Sequence, residues 1–389
     1  MKRSEDRILV THVGSLPRPE VLIENMFSVD RGSPLSQADY ENILSKSVLD
    51  IVKKQMELGI DIVDDGEFSK RGFAVYAHER LGGLSPTGRQ RPSPWADSRE
   101  SRAFPEFYEP LTRPNSNPLT LSNMQMACTG PLTYEGQELL KRDILNLTNA
   151  VMKNDAVEAF LPAISPCDIV GNVINEFYRN DEEFLYAVAD AMNEEYKTIV
   201  DAGFVLQIDD PRLINYYIKN PGKSVKECRA WAEKQVDAIN YSLKGVPADR
   251  VRYHTCYGIN MGPRVHDMEM KDFIDIIMKI NADAYSFEAA NPRHEHEWNI
   301  WKDIKLPEGK SIIPGVITHS SLLVEHPQLV AERLLRYASE VGRENVIAGG
   351  DCGFGTQAMA EPEVHSTIVW AKFSAMAEGA KIASDALWP

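Results

Sequence analysis

The chain has 389 residues, of which 43% are hydrophobic and 25% are charged, as in globular proteins and unlike intrinsically disordered chains. With 57 acidic against 42 basic residues its net charge is −15, which argues against nucleic-acid partners and against binding to an anionic membrane surface. No apolar run is long enough to cross a bilayer, and the charged start of the chain is not followed by the apolar core of a signal peptide. We therefore expect a cytoplasmic protein with no membrane segment.

Apolar, strand-like runs alternate with amphipathic helical patterns along the chain. The predicted strands are residues 8–14, 60–65, 123–128, 205–208, 251–255, 284–287, 312–316 and 346–348. The helical patterns include residues 37–58, 182–202, 225–243, 271–280, 327–341 and 364–388. A strand followed by a helix, repeated about eight times, predicts a parallel sheet with crossover helices. We expect an α/β protein with one (β/α)8 TIM barrel spanning residues 1–389, and a doubly wound open sheet is the alternative.

Two stretches interrupt this alternation. Residues 84–118 are rich in Pro, Arg and Ser and have no clear period, which predicts an inserted loop or lid. Residues 159–164 are an additional apolar run, which we interpret as part of a hairpin or lid insertion. Neither stretch has the composition of a linker between independent domains, so we predict a single domain.

Polar residues of unusual chemistry follow several predicted strands. His254 and Cys256 are two positions apart at the end of one strand, so their side chains face the same side, and both types are good zinc ligands. Cys352 lies between glycines after the last strand, and Glu288 closes another apolar run. Taken singly, each has an ordinary structural explanation. A barrel, however, brings all strand ends to its carboxyl-terminal face, where together they would complete a tetrahedral Zn²⁺ site open to a thiol.

Other candidates are weaker when taken one at a time. Ser15, Glu67, Asp209 and His319 also follow apolar runs. Taken singly, Ser15 is explained as a helix cap, Glu67 and Asp209 are better explained as ion-pair partners, and His319 as a loop residue. The histidine pair within residues 294–296 is interpreted as loop or helix-start structure. The five cysteines are odd in number and widely spaced, which is a poor disulfide framework. Dinucleotide-binding, Walker and serine-hydrolase motifs are absent from the sequence.

Taken in order, these strand ends resemble the catalytic half of cobalamin-independent methionine synthase. The resemblance extends from residue 11 to about residue 356 and is carried by Val13-Gly14-Ser15-Leu16-Pro17-Arg18, Gly66-Glu67, Thr129-Gly130-Pro131, Gln207-Ile208-Asp209-Asp210-Pro211, His254-Thr255-Cys256-Tyr257 and Asp351-Cys352-Gly353. The chain is too short for the two-barrel enzyme of plants and bacteria. It is similar to the short single-barrel members of the superfamily, which include archaeal methionine synthases and the epoxyalkane:coenzyme M transferases.

The resemblance implies a zinc-dependent transfer of an alkyl group, in this family a methyl group, to a thiol. A zinc thiolate would be the nucleophile and a methyltetrahydrofolate the donor. By motif, the family's zinc ligands fall on His254, Cys256, Glu288 and Cys352. Its thiol-substrate contacts fall on Val13, Gly14, Ser15, Glu67 and Asp209. We take Glu67 and His319, the position of the family's general-acid histidine, as the catalytic residues.

One position departs from the family's pattern. Where the family has Asp-Glu-Pro-Ala-Leu-Arg-Glu, whose final acid binds the amino group of homocysteine, this chain has Asp209-Asp210-Pro211-Arg212-Leu213-Ile214-Asn215. The Asn215 amide gives an ammonium group no charged partner, which makes a thiol without an amine an alternative acceptor.

The sequence leaves several hypotheses open. One is the opening of an epoxide or another alkyl donor by a small thiol, as in the coenzyme M transferases. Others are a non-catalytic zinc- or ligand-binding barrel and a zinc-independent barrel such as a decarboxylase of the same superfamily. The expected partners are a small-molecule thiol and an alkyl donor, and homo-oligomer formation is left open.

Overall fold

The computed structural model describes residues 1–26, 36–112, 124–154, 156–258, 261–358 and 364–389. Its α-helices are α1 (Glu20–Met26), α2 (Gln37–Glu57), α3 (Val75–His78), α4 (Arg99–Ala103), α5 (Pro105–Thr112), α6 (Gln137–Asn154), α7 (Pro166–Asn172), α8 (Asp181–Asp201), α9 (Arg212–Lys219), α10 (Val225–Ser242), α11 (Ile274–Ile277), α12 (Pro327–Val341) and α13 (Ser366–Leu387). Short 3-10 helices cover Ala248–Arg250, Met270–Asp272, Glu295–Lys302 and Arg343–Asn345. The strands are β1 (Ile62–Val63), β2 (Leu81–Gln90), β3 (Met124–Tyr134), β4 (Glu158–Ile164), β5 (Val173–Asn175), β6 (Val205–Asp209), β7 (Val251–Thr255), β8 (Ala284–Phe287), β9 (Ser311–Ile317) and β10 (Gly349–Gly350).

Seven strands form one parallel sheet in the order β1-β4-β6-β7-β8-β9-β10. The segment around Val10 closes it into a ring. Val10 forms a parallel bridge with Ala348, and its carbonyl oxygen accepts hydrogen bonds from the N–H groups of Asp61 and Ile62, at 2.9 and 3.1 Å, beside β1. This eight-membered ring, with helices packed against the strands, confirms the predicted (β/α)8 TIM barrel. Among the residues described, none of the helices combines the length and apolar character that spanning a bilayer requires.

The register of the sheet brings the polar strand ends to one level. Asp209 of β6 pairs with His254 of β7, which pairs with Ser286 of β8. On the other side of the ring, Ile317 of β9 pairs with Gly350 of β10, two residues before Cys352. The carboxyl ends of the strands therefore form one face on which distant parts of the sequence meet.

A second sheet of three strands lies beside the barrel, in the order β2-β3-β5, with β2 and β3 antiparallel. β3 includes residues 124–128, which the sequence predicted as a barrel strand, so that assignment is wrong; residue 123 lies outside the described residues. β4, which the sequence placed in a hairpin or lid insertion, is the barrel strand between β1 and β6. The two runs have similar apolar patterns, and their neighbours in a sheet depend on long-range pairing that a local pattern does not encode.

Residues 84–112 are structured rather than an irregular loop. They contain the remainder of β2 and the helices α4 and α5, and residues 113–123 lie outside the described part. Glu100 of α4 is buried, and its carboxylate accepts hydrogen bonds from the N–H groups of Arg264 and His266, at 3.1 and 2.7 Å. The segment is thereby tied to the loop after β7, and its role as a lid remains a prediction.

A small apolar cluster fills the barrel interior near the amino ends of the strands. Its members are Leu9, Ile62, Phe160, Val205, Ala284, Ile313 and Ile347. These residues face the inside of the barrel and pack against one another. The interior is therefore a packed core rather than a pore.

Arg252 of β7 lies inside the barrel and links three parts of the chain. Its guanidinium stacks over Phe160 at 3.4 Å from the ring centroid. It donates hydrogen bonds to Gln207 Oε1 at 2.6 Å, Thr11 Oγ1 at 2.9 Å and the carbonyl oxygen of His12 at 2.6 Å. The first strand segment is thus fastened to β6 and β7 directly below the polar face.

Replacing Arg252 tests this link. Arg252→Met keeps most of the apolar stem but leaves the buried carboxyl groups of Asp64 and Asp209 without their shared cation. We expect the free energy of unfolding to fall by about 3 kcal/mol, the usual cost of removing one partner of a buried charged group. Urea denaturation followed by circular dichroism measures the loss. Arg250→Met, immediately before β7, is the matched control, and equal losses in the two variants would contradict the role of Arg252.

Candidate metal centre and substrate pocket

Three of the four predicted metal ligands lie together at the carboxyl end of the barrel. His254 is in β7, Cys256 follows that strand, and Cys352 follows β10. The two Sγ atoms are 3.2 Å apart, and with one ring nitrogen of His254 they lie within 4.8 Å of one another. All three side chains are buried. One nitrogen and two sulfurs at this spacing form a donor set that zinc prefers.

The hydrogen bonding of His254 leaves one ring nitrogen free. Nδ1 lies 3.0 Å from Ser286 Oγ, whereas Nε2 is buried and has no partner in the described part of the chain. Burial, reinforced by the charge of Arg252, lowers the pKa of His254 to about 3, so the ring is neutral at pH 7 and keeps a lone pair. Since a buried unsatisfied nitrogen is costly, the ring fits a metal ligand oriented by Ser286.

Glu288 lies near this group, but its carboxylate has other partners. Oε2 is 2.8 Å from the guanidinium of Arg264 and accepts a hydrogen bond from Asn291 Nδ2 at 2.9 Å. Oε1 accepts a hydrogen bond from the N–H of Tyr257 at 2.8 Å. Burial raises the pKa of Glu288, and the neighbouring Arg264 opposes that shift. Because both oxygens are engaged, the role of Glu288 as a fourth zinc ligand remains a prediction.

His319 belongs to a second close group. One donor atom each of His319, Glu288 and Asp351 lie within 4.8 Å of one another. Burial lowers the pKa of His319 to about 4, although the Asp351 carboxylate opposes this shift. Asp351 is itself fixed by hydrogen bonds from the N–H groups of Ala289 and Ala290, at 2.7 and 2.8 Å. The result is a neutral imidazole beside a fixed carboxylate that would stabilise its protonated form.

The predicted thiol contacts surround a cavity that reaches the two cysteines. The cavity is lined by Val13, Ser15, Glu67, Asp209, Asn215, His254, Cys256 and Cys352, among others. Gly14 lies behind this wall with a φ of 132°, and a Cβ there would come within 2.9 Å of a Glu67 oxygen. Only glycine therefore allows the Glu67 carboxylate to approach so closely. Sequence reasoning and structure agree on which residues meet here, while their roles remain predictions.

Glu67 and Asp209 give the cavity an acidic wall with one cation. Glu67 has a φ of 57°, a left-handed conformation that costs about 1–3 kcal/mol for a residue with a side chain and is held by a hydrogen bond from its N–H to Asp65 Oδ1. Lys70 Nζ lies 3.4 Å from Glu67 Oε2 and donates to the carbonyl oxygen of Pro162 at 2.6 Å. Burial, and then the Glu67 carboxylate, raise the pKa of Asp209. The wall can therefore take up a proton or face a cationic group.

Several residues of the site gave no signal in the sequence. Arg264 contacts Glu288, Ser286 contacts His254, and Lys70 contacts the Pro162 carbonyl oxygen, each partner being distant in the sequence. Arg264 also has a positive φ of 58°, which no sequence pattern reveals for an arginine. Asp351 lies inside a motif that the sequence did show, but its hydrogen bonds to the loop after β8 depend on the fold.

Comparison with known proteins agrees with the resemblance read from the motifs. The model of a family described as "Cobalamin-independent synthase, Catalytic domain" matches residues 8–165 and 168–372. A methionine synthase of Sulfolobus acidocaldarius is 26% identical over 344 residues, which cover 88% of this chain and 84% of that protein. A 5-methyltetrahydropteroyltriglutamate–homocysteine methyltransferase of Thermotoga petrophila is 25% identical over 89% of this chain, which spans only 41% of that protein's length.

Solved structures show the same fold. A B12-independent methionine synthase from Shewanella sp. W3-18-1, in complex with selenomethionine, superposes with a TM-score of 0.73 at 19% identity, covering 98% of this chain and 99% of that one. A protein of Listeria monocytogenes described as a vitamin-B12 independent methionine synthase gives a TM-score of 0.67 over the same shares of the two chains. Since the family model covers nearly the whole barrel, this chain belongs to the cobalamin-independent methionine synthase family, as a catalytic-domain member.

Proposed function

We propose that the chain is a zinc-dependent enzyme that transfers a methyl group to a thiol. The observation that carries this proposal is the close group of His254, Cys256 and Cys352, in which His254 Nε2 is buried without a partner in the described residues. The relatives named as methionine synthase and as homocysteine methyltransferase support transfer to a thiol. The chain spans only 41% of the length of the Thermotoga petrophila methyltransferase, so the activity of that whole protein cannot be transferred to it. The proposal therefore rests on the geometry of the site.

His254, Cys256 and Cys352 would hold the zinc ion, and Glu288 would join them by exchanging Arg264 for the metal. A bound zinc ion would supply the charge that keeps an acceptor thiol, with an ordinary pKa near 8.5, as a thiolate at neutral pH. The chain contributes the tight approach beside Cys352: a Cβ on Gly353 would come within 2.0 Å of Ser15 Oγ. A side chain at residue 353 would therefore require the Ser15 hydroxyl to move.

Glu67 in the acidic wall would accept a proton from the acceptor thiol, and His319 would donate a proton to the methyl donor. We assign Glu67 to receive the proton that the thiol loses, because its carboxylate lines the same cavity as the two cysteines. We assign His319 to protonate the leaving atom of the donor, which for a methyltetrahydrofolate is an amine nitrogen. The Asp351 carboxylate opposes the lowering of the His319 pKa, so it would stabilise the imidazolium that must form.

Asn215 favours a second candidate for the substrates. It lies on α9, lines the cavity, and its Oδ1 is buried without a partner in the described part of the chain. The Asn215 amide has no negative charge to pair with the ammonium group of homocysteine. A thiol other than homocysteine therefore fits the site. The same chemistry would then open an epoxide or use another alkyl donor, and His319 would protonate the resulting alkoxide instead.

Zinc analysis tests the metal assignment. We expect one zinc ion per chain in the purified protein, and its loss in the double variant Cys256→Ser, Cys352→Ser, because serine hydroxyls are poor replacements for thiolates. Elemental analysis gives the stoichiometry, and circular dichroism checks that the fold survives. Cys228→Ser, in α10, is the matched control and should keep its zinc. One zinc ion per chain in the double variant would rule the site out.

Replacing Asn215 by glutamate, the acid that the family has at this position, tests whether homocysteine is the acceptor thiol. Asn215→Glu should strengthen homocysteine binding by roughly tenfold or more, since a hydrogen bond to a charged group contributes about 1.5–3 kcal/mol. Calorimetric titration of the zinc-loaded protein measures the affinity, and Asn215→Gln, which adds length without charge, is the control. Methionine formation from homocysteine by the unmodified protein as efficiently as by Asn215→Glu would contradict this interpretation.

Removing the imidazole tests the proton donor. His319→Asn should keep zinc and thiol binding and lower turnover by about 10²–10⁴-fold, the usual contribution of general acid–base catalysis. The loss should shrink with a sulfonium donor, whose leaving group needs no proton, and the exposed His296→Asn is the control. Unchanged turnover would make His319 a structural residue, and loss of zinc would make it a ligand.

A further inference from the structure

The substrate cavity continues from the sulfur ligands to a basic end. Asn215 and Lys219 are one helical turn apart on α9 and both line the cavity. Arg91, which follows β2 and belongs to the segment beside the barrel, lines the same end together with Trp95 and Asp168. This end has no part in the proposed zinc and proton chemistry.

The cations at this end are not neutralised by ion pairs. No salt bridge among the described residues involves Arg91, Lys219 or the neighbouring Arg212. Arg91 donates a hydrogen bond to the uncharged Asn172 Oδ1, while the Lys219 ammonium makes no hydrogen bond within the described chain and lies 5.9 Å from the Trp95 ring centroid. An ammonium left without an acceptor beside a second cation is a ready binding position for an anion.

Asp168 does not remove the positive charge. Its Oδ2 accepts a hydrogen bond from the backbone N–H of Arg212 at 3.3 Å. Burial and the neighbouring Asp210 raise the pKa of Asp168 to about 8, while burial and the charge of Arg212 lower the pKa of Lys219 to about 8. Among the charged side chains that line this end, the two cations Arg91 and Lys219 exceed the single carboxylate of Asp168, so the end keeps a net positive charge even when that acid is ionised.

The size of the cavity limits what can reach this end. Its volume is about 180 Å³, and Pro92, Pro94 and Trp95 form a rigid, largely apolar wall. A space of this size holds a short aliphatic thiol, or the end of a larger substrate that extends into it. Because Cys256, Cys352, Lys219 and Arg91 all line this one cavity, a ligand whose sulfur lies at the cysteines shares the space with both cations.

We infer that Lys219 and Arg91 form a subsite for an anionic group, a carboxylate or sulfonate, carried by a substrate of this enzyme. The inference rests on the proposed function for the position of the sulfur, but the subsite itself rests on the two cations. The subsite is consistent with the presence of Asn215 in place of an acid. If the enzyme recognises the acceptor thiol through an anionic group, the site needs no carboxylate to bind an amine. The donor's own carboxylates are the second source of the same chemistry.

Three thiols of similar length and different charge test the subsite. In calorimetric titrations of the zinc-loaded protein, 3-mercaptopropionate should bind about tenfold or more tightly than 2-mercaptoethanol, and cysteamine should bind more weakly than either. Lys219→Met and Arg91→Gln should each reduce this preference about tenfold or more without weakening 2-mercaptoethanol binding. Lys46→Met, on the exposed face of α2, is the matched control and should retain the preference.

The same variants distinguish the source of the anion. A loss of affinity for 3-mercaptopropionate assigns the subsite to the acceptor, and a loss for 5-methyltetrahydrofolate alone assigns it to the donor; either supports the inference. Unchanged affinity for both ligands in both variants would overturn it.

A sulfur-free probe separates this inference from the proposed function. Butyrate should show saturation-transfer contacts by NMR that Lys219→Met removes, even in protein without zinc. If no thiol binds but the butyrate contacts depend on Lys219, the proposed function fails and the subsite stands. If thiols bind irrespective of charge and butyrate shows no contact, the subsite fails and the proposed function stands.

Discussion

Closure of the barrel between its first and last strands is the constraint on which the site depends. Val10 joins the end of the sheet to its beginning, and Thr11 N–H donates to the carbonyl oxygen of Ala348 at 2.8 Å. That closure brings Ser15 beside the segment after β10, where Phe354 N–H donates to the Ser15 carbonyl oxygen at 2.9 Å. Cys352 can therefore meet His254 and Cys256 although almost 100 residues separate the two cysteines. In a flat sheet β7 and β10 would be separated by the two strands β8 and β9.

Closing the ring also buries several carboxylates. Two arginines compensate their negative charge, one inside the barrel and one at its rim. Arg252 lies within the barrel, and its charge opposes the raised pKa of Asp209. Arg264 lies at the rim and pairs with Glu288 and Asp267, both at 2.8 Å. Because buried charges are tolerated only when paired, each arginine determines where a carboxylate can stay ionised. In the proposed zinc site Arg264 would therefore compete with the metal ion for Glu288, and the loop held by Glu100 would affect that competition.

The sequence predicted the barrel and the composition of the site because both depend on local patterns. Strand-then-helix alternation identifies a parallel ring, and the ends of its strands must share one face, so His254, Cys256 and Cys352 could be grouped before any coordinates. Local patterns did not distinguish β3 from β4, since both are apolar runs and only pairing partners separate them. They also did not reveal the cations Lys70, Arg264 and Lys219, because a charged residue in a loop or on a helix resembles any solvated residue until its neighbours are known.

The cavity therefore has two parts with different origins. Its sulfur end is built from strand ends that the barrel geometry fixes, and residues there match the family's motifs. Its basic end is built from α9 and from the segment after β2, where the barrel imposes little on residue type. On the proposed function, a change at Lys219 or Arg91 would leave the thiol-binding end intact and would alter the charge that the rest of the substrate meets. If the proposed subsite is right, substrate choice would be determined outside the strands, by the elements that surround the mouth of the barrel.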